Sequence, residues 1–170
     1  MKLLLSNPNR KKYNHNRTTE GCIFCNGAVD NTFHIWEAKH WIVAANQYPF
    51  VDHAILIIPR RHIEFVTETS KAEWDELTEI MMKLAKVWTD YYLTEYPRTE
   101  KEKVLDDGQP SYNFYVNNGE HSGQTVRHLH WHFIPRVYRR YTGMEMAELF
   151  QKVKAEPGET QQLFKRLLGM

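Results

Sequence analysis

Gly123-Gln124-Thr125-Val126-Arg127-His128-Leu129-His130-Trp131-His132-Phe133-Ile134-Pro135 sets three histidines in strict alternation with Leu129, Trp131 and Phe133. Successive side chains of a β-strand point to opposite faces, so this period of two predicts a strand with all three imidazoles on one side. The apolar alternates go to the other side and join a core. A helix would scatter the same histidines around its cylinder. A row of imidazoles adds little to a scaffold, because imidazoles titrate near neutral pH and serve as ligands, acid-bases or nucleophiles.

Two chemistries use such a row. Several imidazoles can converge on one metal ion. Alternatively, one neutral imidazole attacks phosphorus while a neighbour holds the phosphoryl oxygens. The residues just upstream favour the second. Asn117-Asn118-Gly119 and Gly123-Gln124-Thr125 read as a turn-rich loop with two glycines and several amide or hydroxyl donors, a composition that suits an anion. A metal strand more often recruits a nearby carboxylate, and the first acidic residue after His132 is Glu145.

Further out, Thr32–Glu37 and Trp41–Ala45 read as two strands joined by a turn at Lys39-His40. Asn46-Gln47-Tyr48-Pro49-Phe50 is a loop, since Pro49 bars a regular ladder. His53–Ile58 is an apolar strand ending at Pro59, and Ser111–Val116 is another strand. The clearest helix begins at Ser70, which forms a capping box with Glu73. Trp74, Leu77, Met81, Leu84, Trp88 and Tyr91 follow at three- and four-residue spacing, a stripe assigned to the core. Pro97 closes that region, and 98–109 is a charged loop with a turn at Asp106-Asp107-Gly108. The tail reads as two short helices, 143–154 and 159–168, separated at Pro157-Gly158. Strands, a long helix, then strands again predict an α+β fold whose mainly antiparallel sheet carries the helix on one face.

At 170 residues the chain suits one domain with a fair core. We divide it into a flexible basic arm (1–20, including Arg10-Lys11-Lys12 and a solvated His15), a domain (21–141) and a C-terminal helical extension (142–170). The net charge of +1 points neither to broad nucleic-acid coating nor to an anionic membrane. No apolar run approaches the ~20 residues of a membrane span. Met1-Lys2-Leu3-Leu4-Leu5 is too short for a signal-peptide core, so a cytoplasmic location is expected. The two cysteines, Cys22 and Cys25, form a Cys-x-x-Cys pair, either a redox dithiol or half of a metal site. Polar, basic sequence precedes the pair where a redox dithiol expects a strand, which favours zinc provided two histidines join it.

The stretch 123–136 resembles the signature of the histidine-triad (HIT) nucleotide hydrolases and transferases, His-φ-His-φ-His-φ-φ with φ apolar. The resemblance extends to Asn46-Gln47-Tyr48-Pro49 and to Asp52–Ile63, similar to the family's Gly-His-x-Leu-φ-x-Pro-x-x-His segment, with Asp52 where glycine is usual. Cys22-Ile23-Phe24-Cys25 is similar to the opening of many bacterial members. The family fold it implies is a five-stranded antiparallel sheet, commonly paired into a homodimer. By the same resemblance His130 is the nucleophile, its ring held by the backbone carbonyl of His128, and His132 contacts the phosphoryl oxygens. Asn117, Gln124 and Thr125 bind phosphate, with Thr125 also aiding the leaving group. Asn46 meets the ribose, and Ile23 and Phe24 form a slot for the base or are ordinary core. Cys22, Cys25, His62 and His128 form a structural zinc site. The implied partner is a nucleotide, with a dinucleoside polyphosphate preferred because Gln124-Thr125 and Pro135-Arg136 resemble that branch. Nucleoside phosphoramidate cleavage and phosphorolysis share the same nucleophile. From other classes come a hydrolase with all three histidines on one ion, and a non-catalytic nucleotide-binding module.

Overall fold

The computed structural model describes residues 19–26, 33–49, 51–97, 110–136 and 155–170. Five strands form one antiparallel sheet: β1 (His34–Glu37), β2 (Trp41–Ala45), β3 (Ile55–Pro59), β4 (Ser111–Val116) and β5 (Trp131–Arg136). Their spatial order is β1-β2-β3-β5-β4, so the histidine strand lies between β3 and the edge strand β4. Helix α1 (Lys71–Thr94) connects β3 to β4, and α2 (Pro157–Leu167) follows β5 in the chain. Both helices contribute to one apolar cluster with Val43, Ile55, Leu129 and Phe133, which places them on the same face of the sheet. The expected α+β architecture is the one observed.

Alternation in the histidine stretch sorts as its period predicts. Leu129 and Phe133 are fully buried in the helix-side core, and Trp131 packs against it. His132 points the other way, in register with Leu56 on β3 and Tyr115 on β4. On that second face Val51, Ala54 and Ile134 make a small cluster with Tyr115 against it. The ladder itself starts later than the alternation, at Trp131. Upstream of it the backbone is engaged elsewhere: the Leu129 N–H donates to the Ile63 carbonyl at 2.6 Å, and the His128 carbonyl accepts from the His130 ring.

Helix α1 starts as the capping box requires, with Ser70 and Glu73 exchanging hydrogen bonds. Its buried stripe is Glu73, Leu77, Ile80, Leu84, Trp88 and Tyr92. Trp74 is 37 % exposed, a correction to the expected stripe, and Met81 and Tyr91 are half-buried. The buried face is turned so that a carboxylate, not an aromatic ring, opens it. Glu73 tolerates this because Arg61 donates to it from Nε at 2.6 Å and from Nη2 at 2.8 Å. Arg61 and the Ser70 groups hold its carboxyl down at about 2.

Two further differences concern turns. The family pattern puts its histidine five places before the proline, whereas His53 stands six before Pro59. Counted back from Pro59, the glycine slot falls on His53 and not on Asp52. The backbone agrees, since His53 is the one non-glycine among the described residues with a left-handed φ, 61°. Asp52 instead accepts a hydrogen bond from the Ala155 N–H at 2.9 Å. At the tail, Pro157 opens α2 as its first residue and does not break it, a position where proline's missing N–H costs nothing. Phe164 of α2 is fully buried in the main cluster. The arm up to residue 18, the charged loop 98–109 and the helix expected over 143–154 lie outside the described residues.

Candidate active site and metal centre

The three triad histidines are anchored in three different ways. His128 donates from Nε2 to the Pro59 carbonyl at 2.8 Å. A carbonyl only accepts, so the proton is on Nε2 and the Nδ1 lone pair is free. That lone pair faces the sulfurs of Cys22 at 3.3 Å and Cys25 at 3.5 Å. His62 Nδ1 lies 3.3 Å from Cys25. The four ligand atoms are all within 4.8 Å of one another. Tetrahedral coordination at ordinary metal–sulfur and metal–imidazole lengths gives sulfur–nitrogen edges of about 3.5 Å, so the donor set fits one ion. In the absence of a cation, burial and the neighbouring Cys22 push the Cys25 thiol up to about 11. A bound cation would reverse that, because the thiolate is the ligand form.

His130 is turned the opposite way. Its Nδ1 donates to the His128 carbonyl at 2.8 Å. The proton is therefore on Nδ1 and Nε2 carries a lone pair with no proton to lose. Burial holds this ring below the usual imidazole range, although the bond to His128 opposes the shift. His130 is thus a neutral imidazole with a lone pair on Nε2, the form that a nucleophilic role requires. Among the described residues His132 has no polar anchor: both ring nitrogens are buried and without a hydrogen-bond partner. Burial pushes it down to about 3, with His130 adding to the shift. Two unpartnered nitrogens in one buried ring are costly unless a ligand supplies their partners. The three rings do not converge on one ion, because both nitrogens of His128 are directed elsewhere.

The loop before the triad is braced mainly by backbone and amide contacts. Gly119 and Gly123 adopt φ of 91° and 93°, which a side chain would strain. Gln124 is buried and its amide bridges the loop: Oε1 accepts from the Gly119 N–H at 2.6 Å and Nε2 donates to the Glu64 carbonyl at 3.1 Å. Asn117 Nδ2 donates to the Gly123 carbonyl at 3.4 Å. The Asn118 side chain accepts from the Val66 N–H at 2.8 Å, and Arg127 pairs with Glu64 at 2.7 Å. Thr125 is exposed at the end of this loop.

Among the base and ribose positions, Phe24 meets the rings of His128 and His130 edge-on, at centroid distances of 5.6 and 5.4 Å. Ile23 is 45 % exposed, so it is no core residue of the described chain. Asn46 follows the last rung of β2, two strands from β5. Its carboxamide oxygen accepts from the Tyr48 N–H at 3.0 Å. No motif or spacing singles out Tyr115, whose ring lies flat on His132 at 4.4 Å and 12°. That pairing depends on strand register.

One α+β sheet thus carries the histidine strand, with a glycine-bearing loop before it and a dithiol–diimidazole cluster beside it. The HIT domain model matches residues 28–138, and the chain belongs to the HIT family. Protein hit of Bacillus subtilis is 31 % identical over 121 residues, covering 69 % of this chain and 72 % of that protein. A Zn-bound histidine triad family protein from Mycobacterium smegmatis superposes with a TM-score of 0.64 at 19 % identity, over 89 % of this chain and 96 % of that one. Plasmodium falciparum diadenosine triphosphate hydrolase, solved with Cyclomarin A, gives 0.57 at 16 % identity, over 82 % and 78 %. No described helix is long and apolar enough to cross a membrane.

Proposed function

We propose that this chain is a nucleotide hydrolase or transferase that acts at the α-phosphate through a nucleotidyl intermediate on His130. The observation that carries the reading is the His130 ring, protonated at Nδ1 by its bond to the His128 carbonyl and therefore nucleophilic at Nε2. Nε2 bonds to phosphorus as the bond to the leaving group breaks and the leaving group departs with the electron pair. That group is the remainder of a dinucleoside polyphosphate, with a phosphoramidate amine as the alternative. The Thr125 hydroxyl is assigned to its protonation. Water then adds to phosphorus, releases Nε2 and returns a proton to the Thr125 oxygen, so a nucleoside monophosphate leaves. With inorganic phosphate in place of water the step is phosphorolysis.

His132, Asn117 and Thr125 hold the oxygens whose charge grows at the transition state, while the N–H groups of Gly119, Ser122, Gly123 and Gln124 brace the loop itself. Such donors are each worth roughly 2.7–4 kcal/mol when removed. Asn117, Gln124 and Thr125 frame the phosphate, Asn46 meets the ribose, and Ile23 with Phe24 borders the base. The orphaned nitrogens of His132 support this placement. Zinc is the ion we assign to Cys22, Cys25, His62 and His128, where it supplies a closed structural brace. The thiols this site needs support a cytoplasmic setting.

The test is a panel of diadenosine triphosphate and adenosine phosphoramidate, with and without phosphate, using wild type and His130→Ala. Wild type is expected to give a labelled nucleotidyl-protein. His130→Ala is expected to give none, and its turnover falls by at least about 10³-fold. Equal turnover by the two proteins sinks the covalent reading. Chelation is expected to lower Tm and release about one equivalent of zinc per chain. Turnover that tracked added metal in fully folded protein would instead favour a catalytic ion.

A further inference from the structure

Each triad ring needs something to fix its orientation, because a misplacement on the order of 1 Å at a reacting centre costs ~10²-fold in rate. His128 is held by the Pro59 carbonyl and His130 by the His128 carbonyl. His132 has no such polar partner on either nitrogen. Its ring orientation is therefore set by packing alone among the described residues. Two rings contact it. The His130 ring meets it edge-on at 5.1 Å and 65°, and Tyr115 covers one of its faces at 4.4 Å and 12°.

We propose that Tyr115 is a positioning residue: its ring, laid flat on His132 from the neighbouring strand, sets the plane in which the N–H of the neutral His132 ring meets a phosphoryl oxygen. The inference rests on the nucleotide reading above and names a residue that the triad pattern does not include. Tyr115 and His132 are direct cross-strand partners in the β4–β5 register, so their side chains rise from the same face at adjacent positions. Tyr115 is itself held from behind, packed against Val51, Ala54 and Ile134. A flat stack covers the π-face of the imidazole and engages neither of the two nitrogens on its edge. The phenol brings no charge toward an anionic substrate, since burial pushes its ionisation up to about 12. The stacking ring carries this role, and the hydroxyl does not.

The experiment compares Tyr115→Phe and Tyr115→Leu with wild type, reading kcat and KM on diadenosine triphosphate, thermal midpoint, and the His132 ring signals by NMR with and without AMP. Tyr115→Phe keeps the stack and is expected to stay within about twofold of wild type. Tyr115→Leu keeps apolar volume but loses the flat ring. Its kcat is expected to fall on the order of tenfold with KM changed by less than about threefold, at an unchanged midpoint. In wild type the His132 ring protons should carry an upfield ring-current shift that Tyr115→Leu abolishes. A kcat for Tyr115→Leu equal to wild type, or a Tyr115→Phe loss as large as that of Tyr115→Leu, overturns the proposal. A loss of kcat that merely parallels a lower midpoint also overturns it, because that is a packing effect. If wild type neither turns over substrate nor shifts its His132 signals with AMP, the nucleotide reading itself has failed, and the proposal falls with it.

Discussion

A single ring, His132, shows how burial and reactivity are coupled in this site. Its nitrogens are buried and unpartnered among the described residues, and its protonation is pushed down to about 3. An unfolded chain would protonate the same imidazole near 6.5. Above that pH the ring is neutral in both states and its contribution to stability is complete. Below it the unfolded state takes up the proton first, so stability falls progressively as pH drops from about 6.5 toward 3. We expect chelator-treated wild type to lose thermal midpoint more steeply than His132→Gln over this window. Equal slopes would show that His132 is not held neutral by the fold. Two residues along, the tautomer of His130 is set by something simpler than a charged partner, a backbone carbonyl that dictates which nitrogen keeps the proton.

Helix α1 illustrates how an element can be placed correctly and phased wrongly. Its start at Ser70 follows from local capping chemistry, which depends only on residues three apart. Its buried stripe depends on what approaches from outside. Residue 73 faces inward and residue 74 lies about 100° away, so Trp74 ends half-exposed, edge-on to Trp131 at 5.7 Å. Glu73 is acceptable inside because Arg61, from the segment after β3, supplies two donors. Glu73→Ala removes both the reciprocal cap and that pair. The expected cost is about 1–3 kcal/mol by denaturant unfolding at pH 7. The carboxyl sits at about 2 when folded and at 4.5 as its ordinary value. Its contribution is thus present above 4.5 and lost as pH falls through about 2. A wild-type advantage that persisted undiminished at pH 2 would contradict this account.

At the scale of the molecule, the sheet order leaves β4 on an edge beside β5. Ser111, Tyr112 and Asn113 of β4 are exposed, and Tyr112 is 37 % accessible despite its aromatic ring. An open edge with an exposed aromatic ring offers a pairing surface. We expect the chain to form a homodimer through this edge. Light scattering should give twice the 20.3 kDa chain mass, and a proline at Asn113 should shift it toward monomer. A wild-type monomer at micromolar concentration would end this assignment. The tail is bound into the same body: Gln161 donates to the His34 carbonyl at 2.5 Å, Arg166 pairs with Glu95 at 2.7 Å, and Phe164 lies in the core. The helix that composition marks as an extension therefore packs as part of the domain's wall.

What the sequence determined by itself is whatever depends on near neighbours along the chain. The alternation of residues 128–133, the Ser70 cap and the turn at Lys39-His40 follow from backbone periodicity and local hydrogen bonding, and through them the α+β class. The family pattern added the meeting of Cys22 and Cys25 with His62 and His128, which spacing alone left open. Tertiary structure decided the rest. Tyr115 reaches His132 only because β4 pairs with β5 in one register, and His53 takes a glycine's backbone only because one extra residue separates it from Pro59. Glu73 goes inward because Arg61 arrives to meet it. Such contacts arise from packing between segments far apart in sequence, whose relative positions no local pattern encodes.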